Sequence, residues 1–110
     1  MYTQNISTRT IQARVVGTTF NGRQSVVAQL KQGEKVILER DPHNPYDCHA
    51  IKVVRQNGQH FGYLDRFLAA KLASQLDHYG RPVKAIVSAL SGGYYAGSNL
   101  GVMVQFEIPD

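Results

Sequence analysis

A single cysteine, Cys48, stands among 110 residues, which excludes an internal disulfide and any cysteine-rich zinc module. A reducing cytoplasm is the expected compartment. No apolar stretch approaches the roughly eighteen residues that a membrane-crossing helix needs, and the start, Met1-Tyr2-Thr3-Gln4-Asn5, lacks the charged and apolar parts of a secretory signal. Runs of basic residues, internal repeats, paired carboxylates at catalytic spacing, a glycine phosphate loop and a Gly-x-Ser-x-Gly turn are all missing. The length suits one domain with one modest core and is too short for a second catalytic lobe. These absences point away from an enzyme, a membrane protein or a cofactor carrier and toward a binding module.

Twelve Lys and Arg against eight Asp and Glu leave a net charge of +4. That balance favours an anionic partner such as nucleic acid. The cations are dispersed, from Arg9 and Arg14 through Lys31, Lys35, Lys52 and Lys84, so no localisation signal or membrane-surface patch is formed.

Hydrophobic patterning begins near Thr10, and residues 1–9 read as a flexible arm ahead of a single domain over 10–110. Ile11, Ala13 and Val15 alternate with polar neighbours as a half-buried strand ending at Gly17. Asn21-Gly22 then predicts a hairpin turn into a strand over Val26 to Leu30. A turn at Lys31-Gln32-Gly33-Glu34 leads into Val36 to Arg40, and Asn57-Gly58 joins a strand over Ala50 to Arg55 to one over Gln59 to Leu64. Asp65 is placed to cap a helix from Arg66 to about Tyr79, with Leu68, Ala69, Leu72, Ala73 and Leu76 on its apolar stripe and Gly80 and Pro82 ending it. Val83, Ala85, Val87 and Ala89 predict a further strand, as do Val102, Val104, Phe106 and Ile108. The glycine-rich stretch Ser91 to Gly101 between them is expected to be a long hairpin loop. The fold class is therefore mainly β (α+β): a small, OB-like antiparallel β-barrel of about six strands with one main helix.

The densest information lies in Arg40-Asp41-Pro42-His43-Asn44-Pro45-Tyr46-Asp47-Cys48-His49-Ala50-Ile51-Lys52-Val53. Pro42 and Pro45 fix φ, while Asn44 and Asp47 can bond neighbouring backbone, so Tyr46 and Asp47 should be held on a stiff loop. Such a loop serves either recognition or its own cohesion. In the second case Asp47 would bond backbone amides and Tyr46 would pack beneath the helix.

The motif Asp41-Pro42-x-Asn44-Pro45-Tyr46-Asp47-x-x-Ala50-Ile51-x-Val53, followed by Gly58 and Gly62-Tyr63-Leu64, resembles the HIRAN domain family. The similarity runs from about Ile11 to Ile108, including Val15-Val16-Gly17 and Leu68 to Leu72. It implies an OB-like barrel of the kind found in fork-remodelling DNA translocases and in small bacterial proteins, binding single-stranded DNA at a free 3′ end in DNA repair or replication-fork processing. A helicase-like translocase or another repair protein is the implied partner.

Carried over residue by residue, the resemblance puts end recognition on Tyr46 and Asp47, with Asn44 supplying amide bonds. The ring would stack on a terminal nucleoside, and the carboxylate would accept from the 3′-hydroxyl. Phe20 occupies the turn where the family presents aromatics for base stacking, although Thr18 and Thr19 stand where a basic residue and an aromatic usually precede it. Tyr63 and Arg66 fall at the strand-to-helix junction near the expected strand backbone, and Lys52 points outward between Ile51 and Val53. Tyr95, beside Tyr94 in the glycine-rich loop, is a further stacking candidate.

Asp41, His43, Asp47, Cys48, His49 and His60 include enough ligand types for a metal, with His43 and His49 the first candidates, but their spacing matches no tetrahedral motif. Cys48 and His49 make a poor nucleophile–base pair, since neighbours on an extended chain project apart. The leading expectation is a noncatalytic single-stranded DNA-binding domain without cofactor. The alternative is a protein–protein interaction or oligomerisation module with the same fold and no DNA binding.

Overall fold

The computed structural model describes residues 8–93 and 98–109. Six strands, β1 (Thr8–Val16), β2 (Lys35–Arg40), β3 (Ile51–Arg55), β4 (His60–Leu64), β5 (Val83–Gly92) and β6 (Leu100–Pro109), close into an antiparallel barrel in the order β1-β4-β3-β2-β5-β6. Two helices, α1 (Arg23–Val27) and α2 (Arg66–Tyr79), complete it. Strand side chains alternate inward and outward, and the inward set is apolar: Ala13 and Val15, Val36 and Leu38, Ile51 and Val53, Phe61 and Leu64, Ala85 and Val87, and Val102 through Ile108 on alternate positions. Phe61 is the largest of the fully buried side chains. On α2, Ala69, Leu72, Ala73 and Leu76 are buried, each leucine contributing roughly 1.5–3 kcal/mol of apolar burial.

The caps of α2 follow the predicted chemistry. Asp65 accepts from the Leu68 amide at 2.9 Å, and Gly80 ends the helix in the left-handed region at φ 66°. Asn57-Gly58 likewise turns β3 into β4, with the Asn57 side-chain Oδ1 accepting from the Gln59 amide at 2.9 Å.

Four expectations are corrected. The segment predicted as a strand over Val26 to Leu30 is the short helix α1 and the turn after it. Asn21 and Gly22 do take the positive φ values, 54° and 73°, that a hairpin turn requires. Here they instead deliver the chain into a helix whose Val27 and following Leu30, three residues apart, reach the core. An apolar run this short carries no periodicity able to separate the two outcomes. Secondly, β1 starts at Thr8, pairing with Pro109, so the last two residues of the expected arm belong to the barrel; residues 1–7 lie outside the described residues.

Thirdly, the two ends of the expected Ser91–Gly101 loop are ladder, Ser91 pairing with Gly101 and Gly92 with Leu100. Fourthly, a register shift between Val87 and Ala89 breaks the alternation, and Ala89 is exposed where an inward position was expected.

The barrel closes through a narrow seam, with only Val15–Leu64 and Val16–Tyr63 paired between β1 and β4. Gly62 makes that approach possible. A Cβ there would meet a Val15 methyl and lie 2.7 Å from the Val16 carbonyl oxygen. Gly62→Ala is therefore expected to lower stability by at least ~1–3 kcal/mol, the usual cost of overpacking, read as a reduced urea midpoint.

Candidate functional site

The loop joining β2 to β3 is built as two tight turns. Asn44 donates its amide to the Asp41 carbonyl at 3.1 Å, Ala50 donates to the Asp47 carbonyl at 3.1 Å, and Asp41 donates to the Ala50 carbonyl at 2.9 Å, closing the loop above the Arg40–Ile51 pair. The Asn44 side chain occupies the middle. Its carbonyl accepts from the Tyr46 and Asp47 amides at 2.9 and 3.2 Å, and its NH2 group donates to Asp41 Oδ2 at 3.2 Å and the Tyr63 hydroxyl at 3.4 Å.

Arginines brace this loop from two elements. From β2, Arg40 donates to the carbonyls of Ala50 and Cys48 at 2.8 and 2.9 Å and to Asp77 Oδ1 on α2 at 3.0 Å. From the first turn of α2, Arg66 donates to the Tyr46 carbonyl at 2.9 Å. With its backbone amide and carbonyl both bonded, Tyr46 is nevertheless 86% exposed. The alternative that packed this ring beneath the helix is excluded.

Asp47 lies beside it, its side chain 20% exposed. Oδ1 accepts from the His49 amide at 2.9 Å, and Oδ2 has no protein donor among the described residues. Tyr46 and Asp47 therefore present a free ring face and a free carboxylate oxygen at adjacent positions on a braced loop.

Below the loop, the outer face of the barrel supplies a floor. Tyr63 on β4 stands beside Lys52 on β3 and Val16 on β1, and its hydroxyl donates to Asp41 Oδ2 at 3.4 Å. Arg23, from α1, lies over the Tyr63 ring at 5.2 Å, a cation–π distance, and donates to the Gly17 carbonyl at 2.8 Å. His60 meets the same ring edge-on at 4.7 Å. Lys52 points outward as predicted and sits 3.7 Å from Glu39. Phe20, 65% exposed, is tied in through its carbonyl, which accepts from the Arg23 amide at 3.0 Å.

Contacts thus connect Phe20, Arg23, Tyr63, Asn44, Tyr46, Asp47 and Arg66, with Lys52 adjacent by strand register. Tyr95, with Tyr94, lies outside the described residues. Asn44 spends its amide on the loop itself, which makes it a positioning residue for Tyr46 and Asp47. His43 and His49 are both exposed, and no group of three or more metal-ligating side chains forms among the described residues. The Cys48–His49 reading is corrected in its geometry: the turn folds the chain so that Sγ comes within 4.0 Å of Nδ1, closer than an extended backbone would permit.

Arg23 was missed by sequence reasoning, because it sat in a segment taken for a hairpin. Phe67, one residue beyond Arg66, is 81% exposed, a large apolar side chain outside the stripe that α2 buries.

His60 donates from Nε2 to the Gly62 carbonyl at 2.8 Å. Burial lowers its pKa below the usual 6.5; the Arg23 and Lys52 charges act in the same direction, against the Gly62 bond and Asp41. The imidazole is consequently neutral at pH 7.

The family model for the HIRAN domain matches residues 8–108. The chain is 37% identical over 78 residues to the rabbit (Oryctolagus cuniculus) helicase-like transcription factor, covering 71% of this chain and 7% of that protein; it therefore spans a small fraction of the length of this relative. A crystal structure of the HIRAN domain of human HLTF superposes with a TM-score of 0.63 at 31% identity, over 89% of this chain and 74% of that one. An NMR structure of the HLTF HIRAN domain in its DNA-bound conformation gives a TM-score of 0.55 at 30% identity, over 88% and 75%.

Two outcomes are expected of the site. Asn44→Ala removes the acceptor of the Tyr46 and Asp47 amides and should cost about 0.5–1.5 kcal/mol per bond lost, since water reaches these amides, measurable by urea unfolding. For His60, the folded state binds fewer protons than the unfolded chain in the window just below 6.5, so stability falls as pH drops through that window toward the folded pKa. Urea midpoints at pH 7.5 and 5.5 should diverge more in the native chain than in His60→Gln.

Proposed function

The chain belongs to the HIRAN domain family, and on that premise we propose that it is a noncatalytic module binding single-stranded DNA at a free 3′ end. One observation carries the reading: Tyr46 and Asp47 are adjacent and braced, with an exposed ring and, on a carboxylate whose side chain is 20% exposed, an oxygen without a protein donor among the described residues. A terminal 3′-hydroxyl has a proton to donate to Asp47 Oδ2. An internal phosphodiester has none and brings negative charge against the carboxylate, so a continuous strand is rejected at that position. Stacking on Tyr46 and Phe20 supplies about 1–3 kcal/mol per base and is indifferent to sequence.

Arg23, Arg66 and Lys52 supply positive charge on either side of Tyr63 for the phosphates that precede the terminal nucleoside. Each bonded guanidinium retains further N–H donors beyond those used on carbonyls. Arg66 also stands at the first turn of α2, where free amides favour an anion. Arg23 offers the guanidinium that the turn residues Thr18 and Thr19 do not. The DNA-bound structure of the HLTF domain supports nucleic acid as the ligand, and the helicase-like relatives support work beside a translocase in repair or fork processing. A single cysteine fits action in the cytoplasm.

A second reading, a protein-interaction or oligomerisation module, draws on Thr18 being buried and Thr19 being neither basic nor aromatic. Oligonucleotide anisotropy distinguishes the two. A short fluorescein-labelled strand with a free 3′-hydroxyl should bind at least about tenfold, or about 1.4 kcal/mol, more tightly than the same strand ending in 3′-phosphate, and Asp47→Ala should abolish that difference. Equal affinity for both ends would refute end recognition, and no binding at low salt would favour the interaction module. With two or three phosphate contacts, log K should fall against log salt with a slope of about −2.

A further inference from the structure

A second groove, of about 810 Å3, crosses β2, β5 and β6. Around the closed barrel β5 is three strands from β4 in either direction, so this groove and the Tyr63 floor face opposite ways. Its volume falls within the range of about 300–1,000 Å3 common to ligand clefts.

Strand register arranges its outer surface. Lys35 pairs with Ile86, and Ile37 with Lys84, so cation and branched apolar side chain alternate along and across the two strands at neighbouring Cβ spacing of about 5 Å. Ile86 is 39% exposed. Lysine stems add apolar surface while keeping their ammonium groups in water. Arg81 adds a third cation at the groove's edge. Among the described residues none of these three has a carboxylate within 4.0 Å, whereas Arg40, Lys52 and Arg55 all do. Among the described residues, Glu107 is the single acidic one lining the groove.

We infer that this groove docks an extended segment of a partner protein in which acidic residues alternate with branched apolar ones. Charge complementarity supplies the acidic half of that pattern, since among the described residues Lys35, Lys84 and Arg81 have no carboxylate within 4.0 Å and Glu107 is the one acidic residue beside them. Ile37 and Ile86, each beside a lysine, supply the apolar half. A nucleic-acid strand fits less well, because single-strand tracks need stacking platforms and the groove's aromatic residues are Tyr79 and the buried Phe106. Where Lys35–Leu38 pair with Val83–Ile86 no strand edge is free, so the segment lies across the side chains there.

The inference is independent of the DNA reading, and the opposed faces allow both ligands at once. The test uses the full chain and a short fluorescein-labelled peptide alternating aspartate with valine and leucine, at physiological ionic strength. The native chain should bind it, and Lys35→Glu combined with Lys84→Glu should weaken binding at least about tenfold. Ile86→Ser should also weaken it, as should replacing the peptide's apolar residues by serine. Binding of the 3′-hydroxyl oligonucleotide by the double variant should change less than about twofold, which also shows that the variant is folded.

Absence of peptide binding by the native chain, or equal affinity in the double variant or for the serine peptide, overturns the inference. Loss of oligonucleotide binding in a double variant with an unchanged urea midpoint would make the groove a nucleic-acid surface and overturn it too. Peptide binding as expected with no oligonucleotide binding by the native chain would leave this inference standing and remove the DNA reading.

Discussion

The Asn44 side-chain amide is the interaction on which the exposed loop depends. One carbonyl oxygen holds two consecutive backbone amides, and one NH2 group reaches both Asp41 and Tyr63. Four contacts from one short, planar group set the directions of Tyr46 and Asp47 relative to the barrel wall. The prolines limit which conformations the loop can explore, but they carry no information about where the loop sits on the protein. Asn44 joins the two by linking loop backbone to a residue of β4.

The same economy governs the arginines. Arg23, Arg40 and Arg66 each donate to one or more backbone carbonyls, which fixes long side chains that would otherwise lose much rotamer entropy on meeting a ligand. A guanidinium has five donors in a rigid fork, so Arg23 and Arg66 can hold a carbonyl and keep donors for an anion. Their cost of ordering is met during folding, which pre-organises the surface. His60 belongs to this arrangement as the neutral member, kept uncharged by burial and by the Arg23 and Lys52 cations.

Barrel closure determines where recognition can occur. Each strand has two neighbours in the closed ring, although Thr8–Arg14 of β1 pair with β6 alone; where both sides of a strand are paired, ligands meet loops or outer strand faces. The loop above Tyr63 uses the first route, and the lysine–isoleucine surface on β2 and β5 uses the second. Gly62 matters to both, because the short β1–β4 seam that it permits shuts the ring.

The sequence by itself determined the barrel class, the α2 limits with their Asp65 and Gly80 caps, the inward residues of β3 and β6, and the constraint that Pro42 and Pro45 put on their loop, because each follows from local periodicity or from backbone preferences within a few residues. It also carried the HIRAN motif that singled out Tyr46 and Asp47. Only the tertiary structure decided that Val26 and Val27 lie in a helix, that Gly92 and Gly101 belong to the β5–β6 ladder, and that Ala89 turns outward after a register shift. It alone brought Arg23 to Tyr63 and Arg66 to Tyr46, and it alone put Lys35 beside Ile86. Those outcomes depend on contacts between segments distant in the chain, whose energies compete with local preference and are absent from any short window of residues.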